Sequence, residues 1–233
     1  MSRRKIVILT GAGISAESGI STFRDAGGLW EGHDIMEVAS PQGWDRNQGL
    51  VLDFYNKRRA QLHTVVPNVA HEALAKLDKD FDTYIITQNV DDLHERGGSS
   101  QVLHLHGELY KARSVKNPEY IVDWKKDMQL GDTCPDGGQM RPHIVWFGEA
   151  VPMLEPAAAL ASAADVFMVI GTSMQVYPAA SLISFVPDHA PKYFIDPHPA
   201  IAENAYENLK IIAEKATVGV PPIVNELIQS QNN

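Results

Sequence analysis

The sequence predicts an α/β fold in which a doubly wound, Rossmann-like parallel sheet is covered by helices on both faces. Two observations predict this fold. Short β-branched runs alternate with helical patterns along the chain, and the first run leads directly into a glycine-rich turn. The chain has 233 residues, of which 44% are hydrophobic and 21% are charged. This length and composition suit one large globular domain.

The predicted strands and helices alternate in chain order. The strands cover 5–10, 81–87, 102–105, 166–170, 192–195 and 209–212, and the helices cover 49–63, 68–78, 153–164, 178–186 and 217–229. Pro67, Pro178 and Pro221 stand at or near predicted helix starts, where a missing backbone N–H costs little.

Two regions, 21–66 and 111–145, do not fit the alternation. They are long and turn-rich, and such insertions in a compact fold are more often functional than decorative. We therefore expect a single domain over 1–233 with two parts. The large Rossmann-like part covers about 1–30, 67–110 and 146–233, and a smaller module is built from two insertions at about 31–66 and 111–145.

Composition excludes several classes of protein. The formal net charge of −9 offers no general attraction to a phosphate backbone, so we expect no nucleic-acid partner, whereas a basic protein substrate remains compatible. The single cysteine excludes an internal disulfide and any zinc site built from several cysteines. The first apolar run is too short for a signal peptide and no run approaches the length of a membrane helix, so we expect a cytoplasmic protein with no membrane partner. The lack of a coiled-coil pattern favours a monomer.

The turn after the first strand has the G-x-G-x-x-A arrangement over Gly11–Ala16. In dinucleotide-binding proteins the first glycine permits the tight turn, the second lets the backbone approach a pyrophosphate, and a following helix offers N–H donors. The alternative is a glycine turn that serves packing only. An ordinary dehydrogenase would also carry an acidic residue at a strand end about 20 residues further on. The stretch 23–31 is typical of a loop instead, which disfavours a dehydrogenase.

The segment from Gly11 to Trp30 closely resembles the signature of the sirtuin family. Further blocks resemble sirtuin motifs in the same order: 87–94 (TQNVDDLH), 103–108 (LHLHGE) and 171–173 (GTS), with 145–149 (VWFGE) similar to the peptide-binding strand and 216–219 (ATVG) to the last cofactor loop. The resemblance spans nearly the whole chain.

The resemblance implies an enzyme that consumes NAD to remove acyl groups from protein lysines, with nicotinamide, the free lysine and O-acyl-ADP-ribose as products. It implies that His106 is the catalytic base for a ribose hydroxyl, that Asn89 contacts the nicotinamide ribose and that Asp91 contacts the carboxamide. The cofactor-binding residues that it implies are Gly11, Ala12, Gly13, Ser15, Glu17, Phe23, Arg24, Trp30, Gln88, Asn89, Asp91, Gly171, Thr172, Ser173, Asp196, Pro197, His198 and Ala216.

Without the resemblance, these residues could also have purely structural roles or bind a metal. Asn89 or Asp91 could cap a helix that contains Asp92 to Arg96. His106 could be a hydrogen-bonded core histidine, or half of a metal pair with His104 two residues earlier. An imidazole with a pKa near neutrality nevertheless suits proton abstraction, and the resemblance favours that role for His106 only.

Tyr55 and Arg58 lie three residues apart in a predicted helix and so share a face. A phenol and a guanidinium on one face can bind a carboxylate. The pair resembles the Tyr-x-x-Arg pattern of sirtuins that prefer succinyl-, malonyl- or glutaryl-lysine, and Ala39 matches a small residue that leaves room for the acyl chain. The alternative is that Arg58 belongs to a solvated run with its neighbours Lys57 and Arg59.

The peptide substrate is expected to bind by strand addition. The groove would lie between the segment 145–149, which includes the substrate-binding residues Val145, Trp146 and Phe147, and the loop near Val176 and Tyr177.

The chain departs from the family in two places. Most sirtuins hold the small module with zinc on four cysteines, but this chain has only Cys134 there, so we expect no bound metal. We expect apolar packing by Tyr120, Ile121, Val122 and Trp124 to hold the module instead. Asp196-Pro197-His198 replaces an asparagine-containing segment, and the carboxylate could accept both adenosine ribose hydroxyls.

The leading hypothesis is an NAD-dependent deacylase that removes succinyl and malonyl groups from lysine, and acetyl groups more weakly. One alternative is a sirtuin that acts chiefly as a deacetylase or as an ADP-ribosyltransferase. Another is a non-catalytic NAD-binding module.

Overall fold

A computed structural model describes residues 3–21, 29–30 and 32–231. The strands are β1 (Lys5–Thr10), β2 (Leu29–Trp30), β3 (His33–Asp34), β4 (Asp82–Thr87), β5 (Val102–His104), β6 (Gly107–Ser114), β7 (Ile121–Asp123), β8 (Met140–Ile144), β9 (Val166–Ile170), β10 (Lys192–Ile195) and β11 (Leu209–Ile212). The α-helices are α1 (Ile35–Val38), α2 (Pro41–Arg46), α3 (Gln48–Leu62), α4 (Val69–Ala75), α5 (Leu93–Arg96), α6 (Leu154–Ser162) and α7 (Ala216–Gln231).

The main sheet has six parallel strands in the order β11-β10-β9-β1-β4-β5. The chain builds outwards from β1 through β4 to β5, then returns to the other side of β1 and builds through β9 to β11. The strand order therefore reverses between β1 and β9. In open α/β sheets, ligands bind outside the carboxyl ends of the strands at such a switch point. This architecture is the predicted doubly wound fold.

Apolar clusters cover both faces of the sheet. On one face α4 and α7 pack on the strands, and on the other face α6 and a 3-10 segment (Ala179–Phe185) do so. Every residue of β9 is buried, as are five of the six in β1. Strands buried on both faces consist of continuous apolar runs, which is why the sequence predicts them with the same bounds.

A second, antiparallel sheet in the order β7-β6-β8 packs with α1 to α3 around a separate apolar cluster. Its strand β6 begins at Gly107 and so crosses the boundary proposed between 110 and 111. The predicted packing is only half right, because Val122 and Trp124 contact this cluster whereas Tyr120 and Ile121 are 38% and 43% exposed. Ile121 belongs to the edge strand β7, and Tyr120 immediately precedes it.

Buried residues from distant parts of the chain hold this second sheet instead. They include Trp44, Met128, Met140 and Trp146. Cys134 is buried in the same cluster, as a packing thiol would be. This packing is not visible in the local pattern, because its members come from segments far apart in sequence.

Two predicted helices differ from the observed ones. The region 178–186 forms the 3-10 segment rather than an α-helix. Helix α7 begins at Ala216, so Pro221 lies inside it rather than near its start, and the predicted cofactor loop 216–219 is its first turn. The first turn packs closely on the sheet at Gly219, because glycine has no side chain. A Cβ at this position would lie 2.6 Å from Ile195 Cγ2. Among the described helices, α7 is the longest at 16 residues, and none is long and apolar enough to cross a membrane.

Lys192, at the start of β10, is a buried cation that ties two loops to the sheet. Only 1% of the Lys192 surface is exposed to solvent. Its Nζ donates to the carbonyl oxygens of Pro187 (2.9 Å), Asp188 (3.2 Å), Ala190 (3.0 Å) and Glu207 (3.2 Å). Buried carbonyl groups that lose a charged donor are costly.

We expect Lys192→Met to lower the free energy of unfolding by about 3 kcal/mol, since it leaves these carbonyls without their donor. Chemical denaturation measures the change. Lys210→Met is the matched control, because the Lys210 side chain is exposed and pairs with Glu226 only at 3.8 Å. It should cost no more than about 0.5 kcal/mol. Equal losses in both variants would contradict a structural role for the Lys192 ammonium.

Candidate active site

The glycine turn after β1 packs directly on the turn after β9. Gly11 N–H donates to Ile170 O (3.0 Å) and Gly13 N–H donates to Gly171 O (2.8 Å). A Cβ on Gly13 would lie 2.7 Å from Gly171 Cα, and Gly171 itself has φ +62°. Close approach of the two backbones therefore requires glycine at both positions, whatever else the turn binds.

The helix expected after this turn is not found in residues 12–21. Two short 3-10 segments, Ala12–Ile14 and Ala16–Ser18, follow β1 instead. The N–H groups of Gly11 and Gly13 are bonded to the β9 turn, so they are not the predicted helix N-terminal donors. Ala12 and Ala16 are partly buried beside this turn.

Three predicted cofactor-binding side chains meet beside the turn. Ser15 Oγ donates to Asp91 Oδ2 (3.0 Å) and accepts from Asn89 Nδ2 (3.1 Å). All three residues are buried, and burial raises the pKa of Asp91 although the N–H of Leu93 and the Ser15 hydroxyl counteract it. Asp91 Oδ1 accepts from Leu93 N–H (3.1 Å) at the start of α5. The N-cap of α5 is Asp92, so the capping reading is wrong for both Asn89 and Asp91, although Asp91 bonds the first N–H of the helix from one residue further back and keeps its other carboxylate oxygen on Ser15.

Gln88 joins the carboxyl ends of β1, β4 and β9. Its Nε2 donates to Thr172 Oγ1 (3.2 Å), and its N–H donates to Thr10 O (2.9 Å). Thr172 is buried and Ser173, next to it, is partly buried. The structure therefore gathers the predicted Gln88, Asn89, Asp91, Gly171 and Thr172 at the switch point of the sheet.

A buried hydroxyl network under this cluster was not predicted. Thr10 Oγ1 donates to Thr87 Oγ1 (2.9 Å), and Thr87 Oγ1 accepts the Asn89 N–H (3.0 Å). Because the hydroxyl hydrogen of Thr10 is used on Thr87, His94 Nε2 donates to Thr10 Oγ1 at 3.0 Å. Burial holds the pKa of His94 well below its usual range, so its ring is neutral. Both His94 and Thr87 lie in the sirtuin-like motif 87–94, so their place in that motif is the sequence signal that could have identified them.

His106 follows β5 with its tautomer set by the backbone. Its Nδ1 lies 3.0 Å from Gln88 O, and since a carbonyl only accepts, Nδ1 carries the hydrogen and Nε2 is the basic nitrogen. Burial lowers the pKa of His106 and the bond to Gln88 partly offsets it. The ring is therefore in its base form at neutral pH. The backbone of His106 also accepts Val145 N–H (2.9 Å).

The segment 145–149 is a turn and not the predicted strand, because β8 ends at Ile144. Glu149 folds back and accepts Trp146 N–H through Oε2 (2.8 Å), and its carboxylate pairs with Arg141 (2.7 Å) and Arg113 (3.1 Å). These ion pairs hold the pKa of Glu149 below its usual range despite burial. Arg113 and Arg141 were not predicted, and nothing in the local sequence marks them as partners of Glu149.

Tyr55, Arg58 and Ala39 are buried residues of the α1–α3 region, which packs with the antiparallel sheet β7-β6-β8 and forms with it the second module. Arg58 is 8% exposed, whereas the neighbouring Lys57 side chain is 69% exposed. The solvated-run reading is therefore wrong for Arg58. Burial strongly raises the pKa of Tyr55, and the bond from Trp146 and the charge of Arg58 partly counteract this, so the phenol is protonated and lies within the influence of the guanidinium charge.

The predicted substrate segment connects this pair to His106. Trp146 Nε1 donates to Tyr55 Oη (3.0 Å), and Phe147 N–H donates to Ala39 O (2.9 Å). Val145, one residue earlier, is bonded to His106. Phe147 is exposed, whereas Trp146 is buried against Trp44.

The remaining predicted residues lie towards β10 and β11. Glu17 accepts the hydroxyl of Thr217, next to Ala216 at the start of α7, and therefore joins that region to the glycine turn. Asp196 is buried and accepts His198 N–H (2.8 Å), while Pro197 and His198 are exposed after β10. This strand is two places from β1, roughly 10 Å away.

Three predicted residues have no described side chain. Phe23 and Arg24 lie outside the described residues, and only the backbone of Trp30 is described.

The polar side chains at the switch point suit a dinucleotide. Hydroxyl, amide and carboxylate groups from Ser15, Asn89 and Asp91 converge there, which matches the ribose and carboxamide groups of NAD. Within residues 3–21 and 32–231, no group of three His, Cys, Asp or Glu side chains could hold a metal ion.

Comparison with known families gives one match over residues 11–178, to the Sir2 family. A curated protein from Helicobacter pylori (strain 26695), named NAD-dependent protein deacylase, is 57% identical over 228 residues, which cover 97% of this chain and 98% of that protein. A protein of the same name from Bacteroides thetaiotaomicron is 50% identical over 97% of this chain and 98% of its own length.

Solved structures with the same fold include Sir2 proteins with bound ligands. A crystal structure of a Sir2 homolog in complex with NAD has a TM-score of 0.87 and 35% identity, and the match covers 98% of this chain and 91% of that one. A Sir2 protein bound to an acetylated peptide has a TM-score of 0.79 and 27% identity, over 99% of this chain and 94% of that one.

Proposed function

Because this chain belongs to the Sir2 family and is an NAD-dependent protein deacylase, we propose that it prefers lysines with acidic acyl groups. Succinyl- and malonyl-lysine in proteins or peptides are the main substrates, and acetyl-lysine is a weaker one. The observation that carries this proposal is the burial of Arg58 beside the protonated Tyr55 in the second module.

A buried guanidinium favours an acyl group that brings a carboxylate. Arg58 is enclosed by the module, with the Phe54 ring centre 6.0 Å from its Cζ. An arginine can donate two parallel hydrogen bonds to a carboxylate, and a phenol adds a third. An acetyl group has no charge to offer, so it gains none of these bonds. Ala39 is small and buried, which leaves volume for a longer acyl chain.

The chain's own residues divide the chemistry between them. NAD supplies the electrophile, a ribose carbon that loses nicotinamide and takes the acyl oxygen. Ser15, Asn89 and Asp91 orient the nicotinamide ribose and carboxamide through a mutual hydrogen-bonded arrangement. His106 Nε2 takes the proton from a ribose hydroxyl, since Gln88 O holds the hydrogen on Nδ1.

The reaction type is tested by following a succinyl-lysine peptide and nicotinamide together in the presence of NAD. We expect the peptide to lose its succinyl group with one nicotinamide released for each group removed. A peptide that gains an ADP-ribose unit would identify an ADP-ribosyltransferase. NAD binding without nicotinamide release from any acyl-peptide would identify a binding module.

Trp146 is expected to fix the direction of the Tyr55 hydroxyl. Because an indole nitrogen can only donate, Tyr55 Oη is the acceptor, and its own hydrogen points elsewhere. We expect Trp146→Phe to keep most of the ring packing but to lower kcat/KM for a succinyl-peptide about fivefold, the worth of one neutral hydrogen bond. The value for the acetyl-peptide should change less than about twofold.

The matched control is Trp124→Phe, which removes an indole that donates only to Asp127 O at 3.4 Å. It should leave both kcat/KM values unchanged. Parallel losses on succinyl- and acetyl-peptides in Trp146→Phe would contradict a role through Tyr55.

The cellular setting is proposed on general grounds. We expect a cytoplasmic monomer that acts on acyl-lysine proteins, with no nucleic-acid partner, as the net charge of −9 favours. Size-exclusion chromatography with light scattering tests the monomer directly.

A further inference from the structure

Beyond the acyl preference, we propose that Glu95 and His104 form a charged positioning pair that holds Asn89 in its NAD-binding orientation. Neither residue belongs to the predicted cofactor or substrate set. The pair lies behind the cluster of Ser15, Asn89 and Asp91, on the side of β5 and α5. It makes NAD binding depend on the charge of an imidazole other than the catalytic one.

His104 bridges two acceptors. Its Nδ1 lies 3.1 Å from Asn89 O, and its Nε2 lies 2.7 Å from Glu95 Oε1. A carbonyl only accepts, and an ionised carboxylate only accepts, so both ring nitrogens must carry hydrogen for both bonds to form. The geometry therefore requires the imidazolium form of His104.

Two histidines hold two consecutive carbonyls of the same turn. His106 Nδ1 holds Gln88 O at 3.0 Å, while His104 holds Asn89 O. The Asn89 N–H is bonded to Thr87 Oγ1, and its side-chain amide is bonded to Ser15. Asn89 is thus fixed at its nitrogen, its carbonyl and its side chain, and only the carbonyl is bonded directly to a titrating group.

The charges around His104 favour its protonated form. Glu95 and Glu108 together raise its pKa above the usual histidine value although burial opposes this. Lys111 is the nearby opposing charge, and it pairs with Glu108 at 2.7 Å. The charge of His104 in turn lowers the pKa of Asp91 and that of the neutral His94 on α5.

Deprotonation of His104 has two consequences. One hydrogen must then serve two acceptors, so either Asn89 O or Glu95 loses its bond. The positive charge that lowers the pKa of the buried Asp91 is also lost. Since the pKa of His104 is raised and that of Glu95 is lowered, both groups are charged between the two pKa values, and the pair is lost as the pH rises through the raised pKa of His104.

The test follows NAD binding by calorimetry from about pH 6 to about pH 10, with the Cε1–H resonance of His104 followed by NMR. In the wild type we expect the NAD dissociation constant to rise about fivefold on the alkaline side, in step with the His104 titration. Glu95→Gln removes the carboxylate and should move both transitions to lower pH by roughly one unit. Glu72→Gln, an exposed carboxylate on α4, is the matched control and should move neither.

His104→Gln completes the test, because it leaves no imidazole to titrate. We expect NAD binding that is weaker by about fivefold and no longer shows the alkaline transition. The acidic limb of kcat/KM, which His106 sets, should stay in place in all variants. If the alkaline transition is unchanged in Glu95→Gln, or persists in His104→Gln, the proposal is wrong. Glu95 is partly exposed, so its variant is expected to fold even where His104→Gln does not.

Discussion

Replacing His106 by alanine should lower the rate of deacylation by about 10² to 10⁴-fold, the usual contribution of a general base. Nε2 of this ring is the basic nitrogen because Nδ1 donates to Gln88 O, and burial keeps the ring neutral at physiological pH. No other described histidine has the same position, since His104 is paired with Glu95 and His94 is bonded to Thr10. Nicotinamide release with a succinyl-lysine peptide measures the loss.

The control for this variant is His189→Ala, which removes an exposed imidazole and should leave the rate unchanged. NAD affinity should fall no more than about fivefold in His106→Ala, because the ring holds the turn only through one neutral hydrogen bond. A rate within about tenfold of the wild type, with an intact fold, would contradict the assignment of His106 as the base.

Replacing Arg58 by methionine should lower kcat/KM for succinyl-peptides roughly 10- to 100-fold, the worth of hydrogen bonds between charged groups. Methionine fills a similar apolar volume, and the change removes a buried charge whose desolvation is costly, so the fold should be retained. The acetyl-peptide makes no bond that depends on this charge. The acetyl kcat/KM should therefore stay within about twofold, so the preference for the succinyl-peptide falls roughly 10- to 100-fold.

Lys57→Met is the matched control for Arg58→Met. It removes a neighbouring charge of the same helix, but the Lys57 side chain is exposed and pairs with Asp53 at 2.7 Å. It should alter neither rate. An equal fall on succinyl- and acetyl-peptides in Arg58→Met would mean that Arg58 supports the module and does not recognise the acyl carboxylate.

Much of the large part of the fold could be predicted because its strands are buried on both faces. The bounds of β1, β9, β10 and β11 agree with those expected from the sequence. Residues that follow such strands must gather at one edge, which places Gln88 and Gly171 together without any knowledge of the loops. The position of a residue at this edge does not give its chemical role, and the roles expected for Asn89, Asp91 and His106 come from the resemblance to the sirtuin family.

The second module and its ion pairs could not be predicted in the same way. Glu149 pairs with Arg113 across 36 residues and with Arg141, yet each is a charged residue that, by itself, is typical of a surface. Arg58 was ambiguous for the same reason, because its neighbours are charged and one of them is exposed. Strand β7 is short and lies at an edge, so its Ile121 faces water while only Val122 packs on the core.

The most direct test of the account is the ratio of kcat/KM values for succinyl- and acetyl-lysine in one peptide sequence, measured with saturating NAD at neutral pH. We expect the succinyl-peptide to be preferred by at least roughly tenfold, since the buried Arg58 and the protonated Tyr55 offer charge-assisted hydrogen bonds only to an acidic acyl group. Equal values, or a preference for the acetyl-peptide, would retain the NAD-dependent deacylase and contradict the proposed recognition of acidic acyl groups.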